Sequence, residues 1–168
     1  MTVNRRNLLR LTTVAVGSGL TAAAAAGPAG SAQAAGPSRT LRFTGKRSAA
    51  NLPELLVPGT PYFVHYDLLD EQGQPAGTES AHCTPVTVDA NGAVVLASLA
   101  LRLTGGTITA ATAYERPLPA VTETLLAARR WSHTFAVTGG TGEFNGATGE
   151  LTIDHLTRED DVLTVTLT

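Results

Sequence analysis

The run Val137-Thr138-Gly139-Gly140-Thr141-Gly142-Glu143-Phe144-Asn145-Gly146-Ala147-Thr148-Gly149 settles what kind of chain this is. Gly140 and Gly142 have the first spacing of a dinucleotide fingerprint, but its third glycine position is Asn145. A strand pattern follows rather than a helix, so no helix N-terminus faces a pyrophosphate and nucleotide binding is excluded. The run reads instead as a strand, a glycine turn and a second strand. Its glycines allow positive φ and close chain approach. Phe144 can plug beneath the turn, and Gly149 lets a neighbouring strand pack close.

Outward from this run, apolar/polar alternation recurs between turn signals. Strands are predicted over residues 41–46, 62–69, 77–88, 93–103, 107–113, 131–138, 147–155 and 162–168. The strongest is Tyr62-Phe63-Val64-His65-Tyr66-Asp67-Leu68-Leu69, rich in aromatic residues. Asp70-Glu71-Gln72-Gly73, Asn91-Gly92 and Thr104-Gly105-Gly106 supply hairpin turns. Residues 114–130 break the rhythm, with a loop from Arg116-Pro117-Leu118-Pro119 and a turn or two of helix over 123–130. Eight strands joined mostly by short turns favour an all-β domain, a single antiparallel up-and-down β-barrel or a sandwich. A closed barrel of that size encloses side chains or one small ligand.

Composition agrees. Hydrophobic residues make up 43% and charged residues 15%, which excludes a disordered polyelectrolyte. A net charge of −2 leaves no basic footprint for nucleic acid. The single cysteine, Cys83, rules out an intrachain disulfide framework and any cysteine-cluster metal site.

Residues 1–34 read as an address rather than as fold. Asn4-Arg5-Arg6-Asn7-Leu8-Leu9-Arg10 precedes a weakly apolar stretch of Thr, Gly and Ala, the mark of a twin-arginine export signal. That stretch is shorter than the roughly 20 apolar residues of a membrane span, so no stable membrane insertion is expected. Ala32-Gln33-Ala34 is a small-residue cleavage site, which places the mature start at Ala35. The barrel domain is then residues 35–168, secreted and extracytoplasmic. Losing Arg5, Arg6 and Arg10 leaves nine basic residues against 14 acidic ones, near −5.

The glycine run resembles the strand–turn–strand signature of the allene oxide cyclase and dirigent protein superfamily, a Gly-Gly-Thr-Gly-x-Phe stretch followed by Ala-x-Gly. Pro58-Gly59 before the strand at 62–69 resembles the family's early strand, and residues 70–77 its next turn. Cys83 and Leu103-Thr104-Gly105-Gly106-Thr107-Ile108 are similar to the bacterial allene-oxide-cyclase-like barrel group, many of whose members are secreted. The resemblance implies a calycin-type eight-stranded barrel and a cofactor-free isomerase or cyclase, or a stereochemical guide. In dirigent proteins an Asp on the matching strand lines the pocket and handles a proton, and Asp67 is the position that matches. Here Tyr66 separates it from His65.

Alternation puts Phe63, His65 and Asp67 on one face, the last two about 7 Å apart by strand rise. In an apolar lumen His65 and Asp67 would act as acid and base. Otherwise Asp67 caps a rim turn or pairs with an arginine. Trp131, His133, Phe135 and Val137 form a second one-sided stripe. Facing inward, it is a substrate-binding wall beside Phe63. Facing outward, it is the surface of a homodimer or homotrimer; plain barrel filling is the third reading. The four histidines, His65, His82, His133 and His155, lie on different strands without metal-ligand spacing, so no metal or cofactor is expected. Cys83 reads as a buried or idle thiol, and Glu79, Glu115 and Glu150 as surface charges pairing with Arg102 or Arg116. The expected ligand is an apolar small molecule. The competing class is a non-catalytic secreted carrier, an inhibitor or a cell-envelope interaction module.

Overall fold

A computed structural model describes residues 38–117, 131–157 and 159–168. The export segment and the helix expected over 123–130 lie outside the described residues. Eight strands appear: β1 (Arg39–Ala50), β2 (Tyr62–Leu69), β3 (Pro75–Val88), β4 (Gly92–Leu103), β5 (Gly106–Pro117), β6 (Trp131–Gly140), β7 (Gly149–His155) and β8 (Asp160–Leu167). Each pairs antiparallel with its neighbour in sequence, and β1 closes on β8, giving the expected up-and-down barrel.

Two strands run longer by five residues or more than alternation alone predicts. β1 extends to Ala50 because β2 pairs with it beyond the end of the β8 ladder at Lys46, with a bulge between Arg47 and Ala49. β5 continues to Pro117 because β4 pairs with it through Gly92. Conversely, β7 starts at Gly149, not at residue 147, since Asn145 and Gly146 still turn and ladder pairing begins only at Gly149. The hairpins close on side-chain acceptors. Asp70 Oδ1 accepts the amides of Gln72 and Gln74 at 2.9 and 2.8 Å. Asp89 Oδ1 accepts those of Asn91 and Gly92 at 2.7 and 3.2 Å.

The glycine run forms one end of the barrel. A single 3-10 turn, Gly142–Phe144, buries Phe144 to 3% exposure in the core. The amide of Thr141 donates to the Thr107 carbonyl (2.8 Å) and that of Glu143 to the Gly105 carbonyl (2.9 Å). These bonds lock the β6–β7 turn onto the β4–β5 turn, and the Arg39 guanidinium lies 5.5 Å from the centre of the Phe144 ring. Above this floor the fully buried Leu68, Leu101, Ile108, Leu151 and Leu163 fill the interior. The apolar filling stops short of the opposite end, where the β1–β2 connection, the β3–β4 turn and the β7–β8 turn emerge.

Candidate functional site

At that opposite end the lumen holds a cavity of about 110 Å³. It has room for one ring-sized group, below the roughly 300–1,000 Å³ that encloses a whole drug-sized ligand. Anything larger extends through the mouth, which is rimmed by Arg47, Leu52, Arg116 and Thr157.

One wall is aromatic. Tyr114 on β5, Trp131 and His133 on β6 and His155 on β7 lie side by side because each occupies the inward phase of its strand. Trp131 and His155 are directly paired in the ladder, and their rings stack at 4.1 Å and 22°. His133 stacks on Trp131 at 4.6 Å and 13°, and on His155 at 5.1 Å and 15°. Tyr114 sits 4.1 Å from His133, and Phe135 lies 5.0 Å below it. The near-parallel rings of Trp131, His133 and His155 give the wall a π-rich face, which suits an unsaturated or aromatic ligand.

The ionisable groups adjoin this wall at His155. His155 Nδ1 and Asp161 Oδ1 are 2.8 Å apart across the β7–β8 ladder, with Asp161 only 2% exposed. With an acceptor carboxylate at this distance Nδ1 is the donor, and a neutral ring in that tautomer would keep its lone pair on Nε2. Nε2 is buried and has no partner among the described residues. Tyr66 reaches this corner because its ring packs over Gly45, where a Cβ would sit 3.3 Å from Tyr66 Cδ1. Burial, and then the Asp161 charge, hold the Tyr66 hydroxyl protonated.

Glu79 pairs with Tyr66 across the β2–β3 ladder and is 1% exposed. Burial, reinforced by Asp161, pushes its carboxyl up to about 8, so it is predominantly a neutral acid at pH 7. Its Oε2 has no partner among the described residues. His133 is held neutral for the converse reason. Burial, then the nearby His155 and Arg116, lowers it to about 3, and its Nδ1 is also unpartnered among the described residues. Three buried polar atoms without partners thus meet in one small cavity, where each costs about 1–3 kcal/mol unless something bonds it.

The expected stripe Trp131, His133 and Phe135 therefore lines the lumen, which removes the reason for reading it as an oligomer surface. The expected placement of Phe63, His65 and Asp67 needs correction. β2 turns its other face inward, burying Tyr62, Tyr66 and Leu68. Phe63 is 45% exposed, Asp67 is exposed, and His65 bonds Ser80 Oγ at 2.8 Å on the outer wall. The inward phase, Tyr62, Val64, Tyr66 and Leu68, is uncharged, whereas the outward one carries His65 and Asp67, so the strand buries its less polar side. Glu79 is no surface charge either. It shares the buried phase of Ala81 and Cys83, just as Asp161 shares that of Leu163 and Val165. A carboxylate in the apolar phase of a strand was the available signal for both. Cys83 is buried beneath Tyr62 and Tyr114, and burial raises its thiol pKa.

Residues 50–167 match the family model described as allene oxide cyclase barrel like domain. A search of curated proteins finds no match. Among solved structures, "Pyocyanin demethylase" superposes with a TM-score of 0.61 at 24% identity, covering 77% of this chain and 100% of that one. AbnU, titled an exo-specific intermolecular Diels-Alderase, gives 0.60 at 12%, covering 79% and 98%. The Diels Alderase AbmU from Streptomyces koyangensis gives 0.59 at 16%, covering 78% of this chain and 63% of that one. These likenesses establish a shared barrel. Among the described residues no helix is long and apolar enough to cross a membrane.

Proposed function

The chain belongs to the family of allene oxide cyclase barrel like domains, and from that premise we propose that its lumen is a cofactor-free isomerase or cyclase pocket. It receives a small conjugated molecule, one ring of which lies against the aromatic wall. The observation that carries this reading is the pairing of opposite chemistries around one cavity. His155, oriented by Asp161, offers a basic Nε2, and Glu79 offers an acidic proton.

In the proposed reaction His155 takes a proton from a carbon or hydroxyl of the ligand. Asp161 stabilises the imidazolium that forms. Glu79 donates to the carbonyl or ring nitrogen where negative charge builds. His155 then delivers its proton to the new position on the ligand, and the oxygen or nitrogen returns the other proton to Glu79, so both groups are restored and no net proton is gained or lost, as an isomerisation requires. The wall contributes by holding one conformer, the larger part of any intramolecular ring closure. Related barrels described as Diels-Alderases support this reading, since a cycloaddition needs that kind of restraint. A purely carrier role would be served by an apolar lining, without the three unpartnered polar atoms. Export through the twin-arginine route, from Arg5-Arg6, belongs to the same proposal and places the reaction outside the cytoplasm.

The test uses 3-cyclohexen-1-one, a single-ring β,γ-unsaturated ketone, in D2O. The protein is expected to accelerate conversion to the conjugated ketone with deuterium incorporation. His155→Gln should lower that rate about 100-fold while leaving the melting temperature within a few degrees of the parent. A rate equal to buffer, or an unchanged rate in H155Q, would overturn the acid–base reading.

A further inference from the structure

The mouth of the lumen is cationic although its interior is acidic. Arg116 sits at the end of β5, half-buried, with its guanidinium 5.7 Å from the centre of the Tyr62 ring. Nη1 donates to the Tyr62 hydroxyl at 3.1 Å, and that hydroxyl lies 3.5 Å from the hydroxyl of Tyr114. This contact fixes the guanidinium but uses one of its five N–H groups. Arg47 lines the same cavity from β1. Among the described residues neither arginine has a carboxylate within 4.0 Å; the ion pairs found there belong to Arg39, Lys46 and His155.

A fixed, partly desolvated guanidinium at a pocket mouth, with donors left over, is suited to a planar anion. The converse holds deeper in. Glu79 lies four residues further from the mouth than Cys83 along β3, and no second anion is favourable beside a carboxyl already driven neutral. Ring and charge are therefore sorted by depth. The cavity beside the wall has room for a ring, and only the rim favours a negative group.

We propose that the natural ligand is a conjugated small-molecule anion, a carboxylate or an acidic enol or phenol, that binds ring-first with its charged group held by Arg116 and seconded by Arg47. This rests on the pocket reading above and adds to it the substrate's charge and its direction of binding.

The test is calorimetric titration of the full chain with trans-cinnamate and, in parallel, with the neutral isostere trans-cinnamamide. Cinnamate is expected to bind at least about tenfold more tightly, one charge-assisted contact's worth. Arg116→Gln should abolish that preference by weakening the acid far more than the amide; Arg116→Lys should restore part of it. Raising salt from 0.05 to 0.5 M, both chosen concentrations on the order of the usual screening range, should weaken cinnamate alone. Equal Kd values for acid and amide in the parent protein would overturn the anion inference while leaving the pocket intact. So would a preference that survives in both R116Q and Arg47→Gln. If neither compound binds, the anion inference and the pocket reading fall together.

Discussion

Gly149→Ala is expected to lower the unfolding free energy by about 3–5 kcal/mol, enough to leave much of the barrel unfolded near its working temperature. Gly149 opens β7 at φ +134°, a conformation that L side chains rarely adopt, and a Cβ there would fall on the Thr166 carbonyl oxygen of β8. Two costs add. The backbone term is about 1–3 kcal/mol for a non-glycine residue in such a region. The steric term is of similar size, because the obstacle is ladder backbone and not a side chain that can rotate away. Gly146 supplies the control. It has φ +74° but nothing within 4 Å of its hypothetical Cβ, so Gly146→Ala should show only the backbone term, about 1 kcal/mol. Urea unfolding of both variants checks the contrast. Equal losses would mean that close approach of β8 contributes nothing.

The second large effect is on pH dependence. Glu79 titrates at about 8 in the barrel against 4.5 as a free side chain. Between those values the native state holds a proton that the unfolded chain has released. Its contribution is therefore whole below pH 4.5 and is lost as pH rises through 8. His133 runs the other way, at about 3 in the barrel against 6.5 free. There the unfolded chain holds the extra proton, so its contribution is whole above pH 6.5 and is lost as pH falls through 3. Each slope is about 1.4 kcal/mol per pH unit. The two oppose each other between pH 4.5 and 6.5.

These two groups thus give a stability plateau from pH 4.5 to 6.5 with losses on both sides. Glu79→Gln, which keeps the shape of the neutral acid, should remove the alkaline loss. Its stability relative to the parent is expected to rise by about 5 kcal/mol between pH 4.5 and pH 8. His133→Phe should remove the acid loss instead. Urea titrations of parent and variants at pH 4.5, 6 and 8 decide the matter; a difference between E79Q and parent that does not change with pH would refute a buried neutral Glu79. The same variant separates stability from chemistry, because Gln can still donate a hydrogen bond but cannot transfer a proton. It should be more stable at pH 8 and slower with 3-cyclohexen-1-one.

Much of this molecule is local, and local features are legible in a sequence. Period-two alternation marked the strands, and Asp70, Asn91-Gly92 and Gly105-Gly106 marked the hairpins. A chain of short strands linked by tight turns has few ways to bury its apolar faces, and closure into a barrel follows. The stripe Trp131, His133 and Phe135 was visible for the same reason. What alternation cannot supply is the sign of a face. On β2 the two phases are Tyr62, Val64, Tyr66, Leu68 and Phe63, His65, Asp67, Leu69; both hold large apolar side chains, although only the second carries charge, and a one-residue choice of register exchanges them. Pairing with β1 and β3 made that choice and sent His65 and Asp67 to the outer wall. The acid–base centre lay further out of reach. Tyr66, Glu79, His155 and Asp161 come from four strands, and Tyr66 leans across Gly45 to reach the corner they share. Sequence separation conceals such a meeting, because it depends on ladder register and on the closure of β1 against β8. The pKa shifts are later still, since desolvation acts on Glu79 and His133 only when the whole barrel has formed around them.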